Sequence, residues 1–141
     1  MFPYWVYAVT LLTHAPGFYW LYYLDTTDWI LVSVTLLSSL LMHVSERKHN
    51  LPGLILGKYH ALLLNCDRTT AILSAGYMVY LLSVRQSLLW MQGLKGLLAL
   101  ITNFLSENFR VDDWYSFWHG LWHVSAFYLL GETLYLTSGG A

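Results

Sequence analysis

A chain of 141 residues that is 57% hydrophobic and 11% charged, with a mean hydropathy of +0.48, carries roughly half the charge of an ordinary soluble domain. A formal net charge of -1 with no basic stripe excludes a nucleic-acid-binding role, and a single cysteine, Cys66, excludes an internal disulfide. This composition implies a single domain of all-α class, a polytopic transmembrane helical bundle, and the seven Trp and eleven Tyr suit a chain that meets the bilayer interface many times.

Five spans are expected. Residues 4–24 form the first, with Pro16-Gly17 as a kink and His14 as a packed or hydrogen-bonded core histidine with no assigned role. Their apolar start lacks a basic n-region, so it reads as a mature span rather than a signal peptide. Asp28 is the expected N-cap of the second span, 28–46. The polar connection SERKHNLPG then places Glu46, Arg47 and Lys48 in the headgroup region, and Pro52-Gly53 turns the chain. A third span must begin near Tyr59 and end near Val84 to reach bilayer length, which sets Asp67 and Arg68 about two turns inside it, with Arg68 snorkelling outward. The fourth, 88–105, has Lys95 and Asn103 as polar exceptions, and SENFRVDD leads into the fifth, 113–136.

The fifth span carries His119 and His123, one helical turn apart, so both imidazoles share a face and can hold one ion. Ionisable groups at membrane depth are costly and face partners in a protein interior. Counting spans locates those partners. The second span ends, and the third and fifth begin, on one side of the membrane, so His43, Asp67, His119 and His123 fall in one leaflet. Three neutral nitrogens with an open position are the ligand set of a catalytic zinc site, where the metal lowers the pKa of a bound water to about 7 and polarises a carbonyl oxygen. Asp67 is placed to take the water's proton, and Ser39, one turn before His43, to hydrogen-bond the water or the developing oxyanion.

Ser45 and His49 repeat the spacing of Ser39 and His43. The second pair encloses Glu46, Arg47 and Lys48, which belong among headgroups, whereas the first encloses Leu40, Leu41 and Met42 and is preferred for that reason. Plainer readings exist for each group. His49 and His60 suit the interface, His119 and His123 could each bond a neighbouring helix, Asp67 could pair with Arg68 or Lys95, and Trp118 and Trp122 could be packing or interface anchors.

Ser39-Leu-Leu-Met-His43 followed by Asp67 and by His119-Gly-Leu-Trp-His123 resembles the ordered motifs of the CREST superfamily of membrane hydrolases and receptors. That group includes alkaline ceramidases, progestin and adipoQ receptors and the myomaker branch. The lead-in ENFRVDDWYSFWHGLWH and the Pro-Gly turn after the first motif look most like the myomaker branch and its GPI-processing relatives. The resemblance covers about three quarters of the chain. It implies a zinc ion held by His43, His119 and His123, Asp67 and Ser39 around the bound water, and hydrolysis of an amide or ester bond in a lipid such as a ceramide, a phospholipid or a GPI-like molecule. The chain departs from the family in having about five helices rather than seven, as though a hairpin between the third and fourth were absent, and a second copy could then help to close the cavity.

A different class, a non-enzymatic receptor or fusion factor with a structural metal, follows from the same resemblance. A third class is a b-type haem carrier, which needs one histidine on each of two helices because His119 and His123 on one face cannot both serve one haem axially; a colourless preparation would remove it. Orientation is open. Arg47, Lys48, Lys58, Arg68 and Arg110 lie on the site's side against Arg85 and Lys95 on the other, which by the positive-inside rule puts the site in the cytosol, whereas the resemblance implies a lumenal or external site. Neither argument separates endomembrane from plasma membrane.

Overall fold

Residues 4–46, 53–108 and 112–139 are described in a computed structural model. Among them are six α-helices: α1 (Tyr4–Leu12), α2 (Ala15–Leu21), α3 (Thr26–Ser45), α4 (His60–Val84), α5 (Gln86–Asn108) and α6 (Asp112–Thr137), with a 3-10 turn at Gly57–Tyr59 before α4. The protein is all-helical over these residues.

The expected first span is two helices, not one kinked helix. Pro16 has no N–H, and its ring would collide with the carbonyl four residues back, that of Leu12, so the helix stops there and restarts with Pro16 in the first turn of α2. Thr13 and His14 bridge the two by turn hydrogen bonds, Gly17 N–H to the His14 carbonyl among them at 2.9 Å.

The second span begins earlier than expected. Asp25, not Asp28, is the N-cap: its side chain accepts from the N–H groups of Thr27 and Asp28, both at 3.1 Å. An aspartate two or three residues upstream of free amides is the better-placed acceptor, and Asp28 then lies in the first turn, where the helix dipole favours its charge. The last three helices agree with the expected spans to within three residues. Only Arg85 separates α4 from α5, so no hairpin stands between them. Its guanidinium donates to the Thr137 carbonyl at 3.2 Å and ties this junction to the end of α6.

The other helices gather around α6, which touches α1, α2, α3, α4 and α5. Val32 of α3 meets Leu130 and Leu134 of α6 in the buried centre. Close approach of α2 depends on Gly131, where an added Cβ would lie 2.1 Å from the Trp20 ring. Hydroxyl pairs join α3 to α4, Thr35 with Ser74 at 2.8 Å and Ser38 with Thr70 at 2.7 Å.

Candidate metal centre

Three helix ends converge on one side of the bundle. Ser45, closing α3, stands 3.3 Å from Nδ1 of His60 at the start of α4, and Tyr115 in the first turn of α6 donates its hydroxyl to Glu46 Oε1 at 3.3 Å. His43 is therefore brought within a turn of the end of α3 to the same level as His119 and His123, two and three turns into α6.

All three histidines are buried. Nε2 of His119 lies 3.4 Å from Nε2 of His43 and 3.0 Å from Nε2 of His123. The rings of His43 and His123 are perpendicular, with centroids 4.7 Å apart. The interhelical meeting of His43 with both histidines of α6, expected from counting spans, is present. Ring nitrogens this close repel unless a proton or a cation lies between their lone pairs, and one N–H on His119 can serve only one of its two neighbours.

His43 is oriented from behind. Its Nδ1 lies 3.1 Å from Oε2 of Glu46, which leaves Nε2 with the lone pair that faces α6. Glu46 was expected among the headgroups; instead it is 5% exposed. Tyr115 secures its carboxylate, while Tyr7 of α1 donates to its backbone carbonyl at 3.0 Å and accepts from the Gly53 N–H at 2.9 Å. A carboxylate with an imidazole and a phenol as partners has no need of the interface.

His14, given no role from sequence, belongs to the same cluster. It is completely buried at the break between α1 and α2, and its ring stacks on that of His123 with centroids 4.3 Å apart. Nδ1 donates to the Thr10 carbonyl at 2.7 Å, and Nε2 lies 3.0 Å from the Ser39 hydroxyl oxygen. His14, His43 and His123 each offer a nitrogen, and these nitrogens all lie within 4.8 Å of one another, so the group could hold a metal ion.

Ser39 and Asp67 also reach the site. Asp67 and Ser39 line the same cavity with His123, and Asp67 lies within electrostatic range of Ser39, His43 and Arg68. Lys95 does not compete for it, since its ammonium pairs with Glu132 of α6, whose carboxylate also accepts from Gln92 at 3.1 Å. Ser45 donates to the Met42 carbonyl at 2.7 Å, and His49, its partner in the second S-x3-H pair, lies outside the described residues.

A cavity of about 430 Å³ opens from this cluster between α3, α4, α5 and α6. Ser39, Asp67 and His123 line it at the histidine cluster, Thr35, Ser74, Gln92 and Thr133 are further polar residues on its wall, and Met78, Leu97, Leu100 and Leu130 are among the apolar ones. Trp122, expected as a packing residue or interface anchor, lines it too. No family model, curated protein or solved structure matches the chain.

Proposed function

We propose that the protein is a multi-pass membrane protein that holds zinc on His43, His119 and His123 and hydrolyses an amide or ester bond of a lipid. The observation that carries the reading is the pair of Nε2 separations, 3.4 and 3.0 Å, around His119. Tetrahedral zinc with Zn–N bonds of about 2.0–2.1 Å requires nitrogens about 3.3–3.4 Å apart, close to what three buried imidazoles from two helices provide here. The three nitrogens also come with an orienting carboxylate, Glu46, as histidine ligands usually do.

The membrane assignment rests on α3 and α5, which are long and apolar enough to cross a bilayer. The core helix of a soluble protein would pass the same length and hydropathy test, but it would be covered. Only 11% of the apolar window of α5 is buried, and Trp90, Leu94 and Phe104 point outward. Apolar surface of that extent belongs against lipid. At 25 and 26 residues, α4 and α6 have the length to cross beside them.

Zinc bound here would supply Lewis acidity for a carbonyl oxygen and make water nucleophilic near neutral pH. The chain's own groups do the rest. Asp67 accepts the proton of the attacking water, and the cavity holds the acyl or alkyl part of the substrate with its polar bond at the histidine end. The likeness of the Ser39/His43, Asp67 and His119/His123 motifs to the CREST superfamily supports the same reaction class. A membrane enzyme of this kind would work on its lipid in situ.

A second reading, a metal of structural role in a receptor or fusion protein, draws support from His14, a fourth buried imidazole beside the other three. Four protein ligands close a zinc site, whereas three leave a position for chemistry. Metal content per chain of the detergent-purified protein, followed by incubation with ceramide, glycerophospholipid and GPI-like substrates, tests both. One zinc per chain with release of an acyl product is expected. Zinc without turnover of any of the three classes favours the structural role, and protein that holds no zinc removes both readings.

A further inference from the structure

We propose that His14 is a positioning residue that accepts the hydrogen bond of the Ser39 hydroxyl, so that Ser39 faces the site as a hydrogen-bond acceptor and not as a donor. The tautomer follows from the hydrogen bonds. A backbone carbonyl has no proton to give, so the 2.7 Å contact of His14 Nδ1 with the Thr10 carbonyl requires N–H at Nδ1. In the neutral ring the other nitrogen, Nε2, is then a bare acceptor, and it lies 3.0 Å from Ser39 Oγ. Only the Ser39 proton can make that contact favourable.

The ring has little freedom to leave this arrangement. It is wholly buried, stacked on His123 at 4.3 Å and in contact with Phe127 at a centroid distance of 5.1 Å. The stacking presents its face, not its lone pair, to His123. His14 is thus a neighbour of the metal cluster whose nitrogens are both committed elsewhere.

The consequence concerns Ser39. A serine has one proton and two lone pairs, so with its proton directed at His14 it can accept from the attacking water. It cannot at the same time donate to a developing oxyanion, the role its place before His43 suggests. Asp67 lines the cavity beside Ser39, and the contacts of Ser39 with His14 and of His14 with Thr10 run from the cavity to the Thr10 carbonyl. The catalytic meaning of these contacts rests on the hydrolase reading. The proton placement does not.

The test is ¹⁵N NMR of histidine-labelled full-length protein in detergent, with and without added Zn²⁺ alone, with the His14 signals assigned by their loss in His14→Phe. The expected spectrum has a protonated Nδ1 and an unprotonated, hydrogen-bonded Nε2 that moves toward the free value in Ser39→Ala. Should that variant not fold, Ser39→Cys, with its weaker donor, should produce a smaller shift in the same direction. A protonated Nε2, or an Nε2 signal that moves to a metal-bound position on addition of Zn²⁺, overturns the proposal, and the second of these makes His14 a ligand. An Nε2 signal indifferent to substitution of Ser39 overturns it as well. Where the wild type turns over an acyl amide or ester probe, His14→Phe should lower kcat on the order of 10-fold with KM unchanged and add nothing to Ser39→Ala. A wild type without turnover ends the hydrolase reading and leaves the NMR result to stand or fall separately.

Discussion

Glu46 Oε2 lies 3.1 Å from Nδ1 of His43, directly behind the nitrogen that faces His119. The carboxylate fixes both the ring's rotation and its tautomer. Loss of such an outer partner typically costs about 10–100-fold in metal affinity or activity. Glu46→Ala should therefore weaken zinc binding by about that factor in a competition titration with a chelator. Glu46→Gln, which keeps an acceptor oxygen for the His43 N–H, should lose less. Equal affinity of wild type and Glu46→Ala would mean that the contact does not orient the ring.

Substituting the proposed ligands one at a time separates the two candidate triads. His119→Ala and His123→Ala should both abolish zinc retention, and so should His43→Ala. His49→Ala should retain one zinc per chain, because the nitrogen that meets α6 belongs to His43. The pair His119→Ala and His14→Ala is the sharpest comparison. Of the four imidazoles, His119 has the two short Nε2 contacts, while His14 has committed its nitrogens to Thr10 and Ser39. Zinc content measured by atomic emission should fall to background in the first and stay full in the second. The reverse result would assign the metal to His14, His43 and His123.

What could be read from the sequence in this cluster depended on helix parity and the four-residue spacing, which need no knowledge of tertiary contacts. His43, Asp67, His119 and His123 were placed at one level on those grounds alone. The same counting reaches His14: it lies ten residues from Tyr4, and His123 eleven from Asp112, so both are roughly 15 Å in from the same side. Pro16 two residues later was the further signal, since a proline breaks the helix at the turn where His14 sits. Glu46 was not legible. A glutamate followed by Arg47 and Lys48 has the pattern of a headgroup segment, and contacts with His43 and with Tyr7 and Tyr115, from helices far away in sequence, draw it inward. The N-cap of α3, three residues before the expected Asp28, reflects a choice between two nearby acids, Asp25 and Asp28, that local sequence leaves nearly even.

The cavity predicts how bulk should act. Ala126 lies three residues after His123 and lines the space that leads away from the metal cluster. Ala126→Trp should fill much of it without touching a proposed ligand. Zinc content should be unchanged, while turnover of long-chain substrates falls and short-chain substrates are affected less. Loss of zinc together with activity would show that the substitution had disturbed the bundle and not the substrate path alone.

Packing of α2 on α6 carries the last prediction. A Cβ on Gly131 would lie 2.1 to 2.4 Å from three atoms of Trp20, too near for a side chain of either residue to coexist unmoved. The indole is 7% exposed and is flanked by Tyr128 and Tyr135 at centroid distances of 5.6 and 5.7 Å, so it has little room to withdraw. Gly131→Ala should destabilise the folded protein by about 1–3 kcal/mol, the usual cost of an overpacked core, and lower Tm in detergent. It also bears on the site, because α2 continues from the break that holds His14 against Ser39. Moving α2 outward should shift the His14 signals before it alters zinc content, since His43, His119 and His123 are held by α3 and α6. A Gly131→Ala protein with wild-type Tm would show that Trp20 has another place to go, and that the α2 contact is looser than the 2.1 Å approach implies.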